Sequence, residues 1–175
     1  MPQDRKVRVL IDEEKISRRN AEIAREIALK DPKNLLVVAV LKGSFMFAAD
    51  LMRALHHVGM MPQVEFMHLS SYRDATVSSG QVVILKDVES DVRDRDVLLI
   101  DDILESGRTI AFAKDLLAAR GARVMTCCLL EKPGKRAVSI KADYVGFVIP
   151  DKFVVGYGMD VAHSYRQLPF IGVVD

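Results

Sequence analysis

The sequence predicts an α/β protein with a central, mainly parallel sheet that is flanked by helices on both faces. Apolar, strand-like segments alternate along the chain with segments of helical periodicity, and this alternation is typical of parallel sheets with helical crossovers. Two of these segments, 35–41 and 97–100, are almost continuously apolar, as expected of strands that are covered on both faces. We expect one domain over residues 1–175, with a small subdomain built from terminal segments.

The first part of the chain predicts strands and helices in turn. Asp12 is placed to cap the first helix, in which Ile16, Ile23 and Ile27 share one face. Lys42, Gly43 and Ser44 then form a tight junction into the second helix. The predicted elements are, in order, a strand at 7–11, a helix at about 13–29, a turn at 31–34, a strand at 35–41, a helix at about 45–57 and a strand at 64–69.

The second part of the chain opens with a polar segment, 70–81, that is rich in small residues. A polar stretch of this length in a compact domain predicts a functional loop. Gly121 is well suited to end a helix. The predicted elements after the loop are a returning strand at 82–85, a strand at 97–100, a helix at 110–120 and strands at 124–130, 144–148, 154–155 and 171–174.

The most informative segment is 97–109, which has the sequence VLLIDDILESGRT. Its apolar start predicts a strand, Asp101 and Asp102 follow, and Ser106-Gly107 leads into a helix. Backbone N–H groups at the start of a helix bind phosphate, and carboxylates at the end of a strand bind sugar hydroxyls or hydrated Mg²⁺. Because ligands of open α/β sheets bind at the carboxyl ends of strands, this unit predicts a site for a sugar phosphate.

The composition of the chain limits the kinds of partner that we expect it to bind. A formal net charge of +1 over 175 residues gives no broad attraction to nucleic acid or to an anionic membrane, so we expect neither partner. The polar start of the chain does not resemble a secretory signal. Cys127 and Cys128 are adjacent, so they face opposite sides of a strand and are not expected to pair. We expect a reduced, cytoplasmic protein.

Several motifs, including the central one, together resemble the type I phosphoribosyltransferases, and the final group of them, from Ala142 to Pro169, resembles the branch that acts on 6-oxopurines. The resemblance runs in order from about Val9 to Val173. It predicts the fold of that family, in which a small hood subdomain from the N- and C-terminal segments and a flexible loop accompany the central sheet. The matching segments are LKGSFMF at 41–47, SSY at 70–72, SSG at 78–80, the central motif, Lys132, ADYVGF at 142–147, PDKFVVGYG at 150–158, Asp160, YR at 165–166 and LP at 168–169.

The resemblance implies a reaction as well as a fold. The family transfers the ribosyl 5-phosphate of phosphoribosyl pyrophosphate to N9 of a purine base, and pyrophosphate leaves. For the 6-oxopurine branch, the expected bases are hypoxanthine and guanine, the products IMP and GMP, and the cofactor Mg²⁺. Members of the family form dimers or tetramers, so a homo-oligomer is expected.

The resemblance also assigns roles to individual residues. Lys132 is expected to donate to the purine 6-oxo group, which favours an oxo base over adenine, and Phe153 to stack on the ring. The other assignments are ribose and metal binding by Asp101 and Asp102, 5-phosphate binding by Glu105, Ser106, Gly107, Arg108 and Thr109, pyrophosphate binding by Lys42, Gly43 and Arg166, loop closure by Ser71 and Tyr72, purine binding by Val154 and Asp160, and help from Asp160 at a second metal ion.

One position departs from the family pattern. Glu105 stands where the family usually has Asp, the carboxylate that takes or shares the proton at purine N7. We predict that Glu105 is the general base, through a different rotamer or a shifted loop. The alternative is that Glu105 only caps the helix, while catalysis rests on positioning and metal.

Three other functions fit parts of the sequence. A phosphoribosyltransferase for xanthine, adenine or a pyrimidine would share most of these motifs. An RNA-binding regulator on the same fold would need a basic face, which the near-neutral charge disfavours. A phospho-receiver domain shares the acidic strand end, but its acidic pair normally follows the first strand, whereas here the pair lies at mid-chain before Ser-Gly-Arg-Thr.

Overall fold

The computed structural model describes residues 5–71 and 81–175. In chain order, the helices and strands are β1 (Val7–Ile11), α1 (Glu13–Leu29), β2 (Leu36–Leu41), α2 (Phe45–His57), β3 (Gln63–Ser71), β4 (Val82–Lys86), β5 (Asp96–Leu104), α3 (Arg108–Ala119), β6 (Arg123–Glu131), β7 (Tyr144–Val148), β8 (Val154–Val155) and β9 (Ile171–Val174), with a short 3-10 turn at Pro133–Lys135.

The larger sheet has six strands in the order β4-β3-β2-β5-β6-β7. Its strands are parallel except for β4, which returns antiparallel to β3. The chain winds outward from β2 in one direction and from β5 in the other, so the order reverses between these two central strands. The crevice at such a reversal is where open α/β sheets bind ligands. The carboxyl ends of β2 and β5 therefore mark the expected site.

The smaller sheet joins the two ends of the chain. Its order is β1-β9-β8, and both pairs are antiparallel. The sequence prediction of a hood built from N- and C-terminal segments is thereby confirmed. Since β8 has a strand on one side only, part of its backbone is left free of sheet pairing.

The two faces of the large sheet bury separate apolar cores. Helices α1 and α2 cover one face, and α3 covers the other. The adjacent cysteines illustrate the alternation of side chains, because Cys127 lies in the first core and Cys128 in the second. Both thiols are free and buried, as the sequence predicted.

Most predicted boundaries are confirmed to within two residues, but β5 is much longer than expected. The sequence ended this strand at Ile100, whereas the structure extends it through both aspartates to Leu104. The reason is pairing with β6, which continues to Leu104, while pairing with β2 stops at Ile100. The acidic pair is therefore part of the strand, and the tip of the unit begins at Glu105.

Helix α3 also begins earlier than predicted. It starts at Arg108, directly after Gly107, whose φ is +82°. Helix α1 matches its prediction, and Asp12 Oδ1 accepts a hydrogen bond from the Lys15 amide at 2.8 Å. Among the described residues, every helix is too short or too polar to cross a membrane. Most of the predicted loop, including Tyr72, lies outside the described residues, and Ser71 is the last residue of β3.

Candidate active site

A cleft of about 660 Å³ lies where β2 and β5 end, beneath the hood. It brings together side chains from both ends of the chain, although they are distant in sequence. The predicted site residues that line it are Lys42, Gly43, Asp102, Glu105, Lys132, Phe153, Val154, Asp160 and Arg166. Within the described part of the central motif, five predicted residues do not line it: Asp101, Ser106, Gly107, Arg108 and Thr109.

The junction after β2 forms one wall of the cleft. The peptide bond between Leu41 and Lys42 is cis, and Ser44 Oγ donates to the Val40 carbonyl at 2.5 Å. A Cβ on Gly43 would lie 1.9 Å from Asp102 Oδ2, so a larger residue here would displace the Asp102 carboxylate from its place in the cleft. In the described ranges, the amides of Lys42 and Gly43 have no hydrogen-bond acceptor, and successive free N–H groups of this kind suit an anion.

The two aspartates of β5 occupy different environments, because neighbours on a strand point to opposite faces. Asp101 is only 7% exposed, and its Oδ1 accepts a hydrogen bond from the Asp102 amide. Burial, and then the charge of Asp102, raise the pKa of Asp101 well above its ordinary value. Asp102 faces Gly43 and lines the cleft, and its Oδ1 accepts from the Ile103 amide at 2.7 Å. The cleft thus receives the second carboxylate of the pair and not the first.

The loop from Glu105 to Thr109 leads from β5 into α3. Among the residues described, the backbone N–H groups of Ser106, Gly107 and Thr109 have no acceptor. The positive end of the α3 dipole adds to their attraction for an anion. The Ser106 carbonyl is occupied instead, since it accepts from the Ala137 amide at 2.8 Å. The loop therefore has free N–H donors for a phosphate, and the hydrogen bond from Ala137 holds its backbone in place.

Glu105 does not cap α3. Helix α3 starts at Arg108 after Gly107, with no side-chain cap, so the alternative role for Glu105 has no support in the geometry. Its carboxylate, whose side chain is 36% exposed, lies 3.7 Å from the Lys135 ammonium. Its carbonyl accepts a hydrogen bond from Arg136 Nη1 at 2.8 Å. Both ends of this residue are thus held by the segment that follows Lys132.

Lys132 and the start of β8 form another wall of the cleft. Lys132 is 7% exposed, and within the described part of the chain its ammonium has no hydrogen-bond or ion-pair partner. Its backbone is fixed, since its amide donates to the Leu104 carbonyl at 2.9 Å. Phe153 leaves 56% of its surface exposed, which is unusual for an aromatic side chain, while Val154 is buried. A ligand ring that stacks on Phe153 would cover that surface.

The hood closes the other side through Asp160 and Arg166. Arg166 donates to the Gly158 carbonyl at 2.7 Å and lies 3.3 Å from Asp160 Oδ1. The second oxygen of Asp160 accepts from the His163 amide at 2.8 Å. Gly158 packs so tightly on the β2 junction that a Cβ there would lie 2.6 Å from the Gly43 carbonyl oxygen. The hood and the large sheet therefore meet inside the site.

Sequence reasoning missed two charged residues of the cleft, Lys135 and Asp151. Lys135 Nζ lies 2.9 Å from Asp151 Oδ2 as well as near Glu105. The run Lys-Pro-Gly-Lys-Arg at 132–136 was the available signal, because it places more positive charge directly after Lys132. Nothing local to Asp151 indicated that it would face this run.

Comparison with known proteins defines the class. A family model for the phosphoribosyl transferase domain matches residues 10–162, and these residues include the crevice, the loop before α3 and part of the hood. The fold and the site are thus those of a phosphoribosyltransferase.

Individual relatives define the branch. The chain is 44% identical to a hypoxanthine-guanine phosphoribosyltransferase of Lactococcus lactis over 169 residues, which cover 95% of this chain and 90% of the relative. A hypoxanthine phosphoribosyltransferase structure from Staphylococcus aureus superposes with a TM-score of 0.90 at 41% identity, covering 100% and 94% of the two chains. This chain belongs to the hypoxanthine-guanine phosphoribosyltransferases, and the family and fold predicted from the sequence are confirmed.

Other relatives carry the same unit in a longer protein. The bifunctional protein TilS/HprT of Listeria innocua is 46% identical over 169 residues, which are 95% of this chain but only 26% of that protein. The chain therefore spans about a quarter of the length of that relative.

Proposed function

We propose that this chain is a purine-salvage enzyme that transfers the 5-phosphoribosyl group of phosphoribosyl pyrophosphate to hypoxanthine and guanine. The products are IMP or GMP and pyrophosphate. One observation carries the proposal: a single cleft holds a free-amide junction, a carboxylate at the end of β5 and a buried lysine beside an exposed aromatic ring. These are the groups that an anionic leaving group, a ribose and a 6-oxopurine each require.

The residues divide the work by position. The loop 105–109 holds the 5-phosphate through its free N–H groups and through the side chains of Ser106, Arg108 and Thr109. Lys42, Gly43 and Arg166 hold the pyrophosphate. Donors that are fixed before the substrate arrives stabilise the charge that develops as the C1′–O bond breaks. The ribose is thereby held over Asp102 as positive charge develops at C1′.

The base is held and deprotonated at the wall formed by Lys132 and the start of β8, which is the purine side of the cleft. Lys132 donates to the 6-oxo group, Phe153 stacks on the ring, and the free side of the Val154 backbone meets the pyrimidine edge. N9 forms the new bond to C1′, and the Glu105 carboxylate accepts the proton from N7. Glu105 lines the same cleft as Lys132, as a general base that acts on a bound purine must.

We propose Mg²⁺ as the cofactor. In the described ranges, no group of three or more His, Cys, Asp or Glu side chains is arranged to hold a metal. Asp102 and Asp160 line the cleft, and Mg²⁺ commonly binds one or two carboxylates together with substrate phosphates. These two residues fit that role better than Asp101, which lies below the surface. When bound, the ion neutralises charge on the leaving pyrophosphate.

A direct assay tests the activity. The purified chain is mixed with phosphoribosyl pyrophosphate, Mg²⁺ and one of hypoxanthine, guanine, xanthine or adenine, and both nucleotide and pyrophosphate are measured. We expect turnover with hypoxanthine and guanine and little with adenine, because an ammonium donor has no acceptor on a 6-amino group. Turnover with xanthine alone would correct the base, and no turnover with any base would overturn the proposal.

The two aspartates of β5 should differ in their effect on substrate binding. Replacement of Asp102 by Asn should raise KM for phosphoribosyl pyrophosphate by about tenfold or more, as expected when a charge-assisted hydrogen bond to substrate is lost. Asp101→Asn should change KM by less than about threefold, because Asp101 is buried and does not line the cleft. Steady-state kinetics of both variants provide the test. A larger KM effect at Asp101 would assign the ribose to that residue instead.

We further propose that a second copy of the chain covers part of the large sheet. Val64, Phe66, Val83 and Leu85 on β3 and β4 are apolar and between 37% and 60% exposed. Contiguous exposed apolar surface of this kind marks interaction sites. Phe66→Glu should shift the mass measured by light scattering from that of a dimer or tetramer towards that of a monomer, whereas Met61→Glu, at another exposed apolar residue, should not. A monomeric parent protein at micromolar concentration would contradict this.

Residues 1–175 are proposed to act as one domain in the cytoplasm. The two free, buried cysteines are compatible with a reducing compartment.

A further inference from the structure

Glu105 has a fixed backbone but a long side chain. Arg136 donates to its carbonyl, and Arg136 is itself anchored by Glu131 Oε1 at 2.6 Å. The carboxylate lies three rotatable bonds further out, and a glutamate side chain loses considerable rotamer freedom when it is held in one position. A base that must meet N7 needs some contact that limits this freedom.

Lys135 makes the contact that the structure provides. Its ammonium lies 3.7 Å from Glu105 Oε1 and 2.9 Å from Asp151 Oδ2. Glu105 follows β5, whereas Asp151 stands two residues before Phe153, so the lysine bridges two walls of the purine side. All three residues line the cleft.

The Lys135 ammonium is closer to Asp151 than to Glu105. Lys135 is anchored mainly by Asp151, and the pKa of Lys135 is raised chiefly by its hydrogen bond to Asp151 and less by Glu105. The contact to Glu105 is longer than a hydrogen bond. The carboxylate is thus held near the lysine but is free to turn towards an incoming base.

We propose that Lys135 is a positioning residue for the reaction: anchored by Asp151, it holds the carboxylate of Glu105 on the purine side of the cleft. This inference rests on the proposed function. It also accounts for an acid longer than the family's usual aspartate, because a glutamate carboxylate reaches this ammonium. The pair is exposed, with 59% of the Lys135 side chain open to solvent, so it contributes little to the stability of the fold.

The first test separates positioning from structure. Lys135→Gln should lower kcat with hypoxanthine about tenfold, since small misplacement of a catalytic group is costly, and leave KM for phosphoribosyl pyrophosphate within about twofold. Lys135→Arg should restore most of the activity, and the melting temperature should stay unchanged in both. Lys141→Gln, which removes an exposed lysine outside the cleft, is the matched control and should behave as the parent protein.

The second test is a double-mutant cycle with Glu105→Asp. The shorter acid withdraws from the ammonium, so Lys135→Gln should then lower kcat by less than about twofold, a coupling expected only of residues that act together. Equal losses in both backgrounds would overturn the inference, as would a Lys135→Gln variant with the parent kcat. Absence of turnover in the parent protein with every base would instead overturn the proposed function, so the two failures are distinguishable.

Discussion

Replacement of Glu105 by Gln should lower kcat with hypoxanthine by about a hundredfold or more, the usual contribution of a general base. Glutamine has the same length and still offers an oxygen to the purine, but it does not accept the N7 proton. KM for phosphoribosyl pyrophosphate should change little, because the loop N–H groups that we propose for the 5-phosphate remain. Steady-state kinetics with both substrates measure the effects on kcat and on KM separately.

The fold should survive this substitution. The Glu105 side chain caps no helix and has one ion pair among the described residues, to Lys135, so the melting temperature should stay within a few degrees of the parent value. Glu14→Gln on the exposed side of α1 is the matched control for loss of one carboxylate. If kcat fell by less than about threefold, positioning and metal alone would account for catalysis, and Glu105 would lose its proposed role.

Local sequence was sufficient to predict the helices and strands where a terminus has its own chemical signal. Helix α1 begins after Asp12 because that carboxylate accepts a backbone hydrogen bond. The end of β5 has no such signal. Its last four residues remain a strand because β6 continues beside them, and that pairing depends on residues about 27 positions away in the chain. The sequence therefore predicted that the two aspartates follow the strand, whereas they belong to it.

The candidate site was predictable to the extent that its residues form motifs. The nine predicted residues that line the cleft come from six of the matching segments that the resemblance had already identified. Lys135 and Asp151 lie 16 positions apart and meet only because β7 returns the chain to the same edge of the sheet. Such a contact between two exposed, charged residues leaves no periodicity or spacing to detect. The division between Asp101 and Asp102, in contrast, follows from the alternation of side chains along a strand.

Gly158→Ala should damage both the stability of the fold and the geometry of the site. The residue has φ +98°, which costs an alanine about 1–2 kcal/mol, and the new Cβ would lie 2.6 Å from the Gly43 carbonyl oxygen. Backbone does not rotate away as a side chain does, so either the hood or the β2 junction must move. The amides of Lys42 and Gly43 would move with it.

Gly59→Ala separates the cost of a positive φ from the cost of a steric clash. Gly59 has φ +86°, but nothing lies within 4 Å of its added Cβ. This variant should lose about 1–2 kcal/mol of unfolding free energy from its backbone conformation alone and keep its kinetics. Gly158→Ala should lose more than Gly59→Ala in urea unfolding and should also raise KM for phosphoribosyl pyrophosphate about tenfold or more, since a 1 Å displacement of binding groups is costly. Equal stability losses with unchanged KM would mean that the hood yields without disturbing the β2 junction, which we propose as part of the pyrophosphate site. In that case the contact between Gly158 and Gly43 would affect only the shape of the hood. The close approach of the hood to the β2 junction would then not be what positions the amides of Lys42 and Gly43.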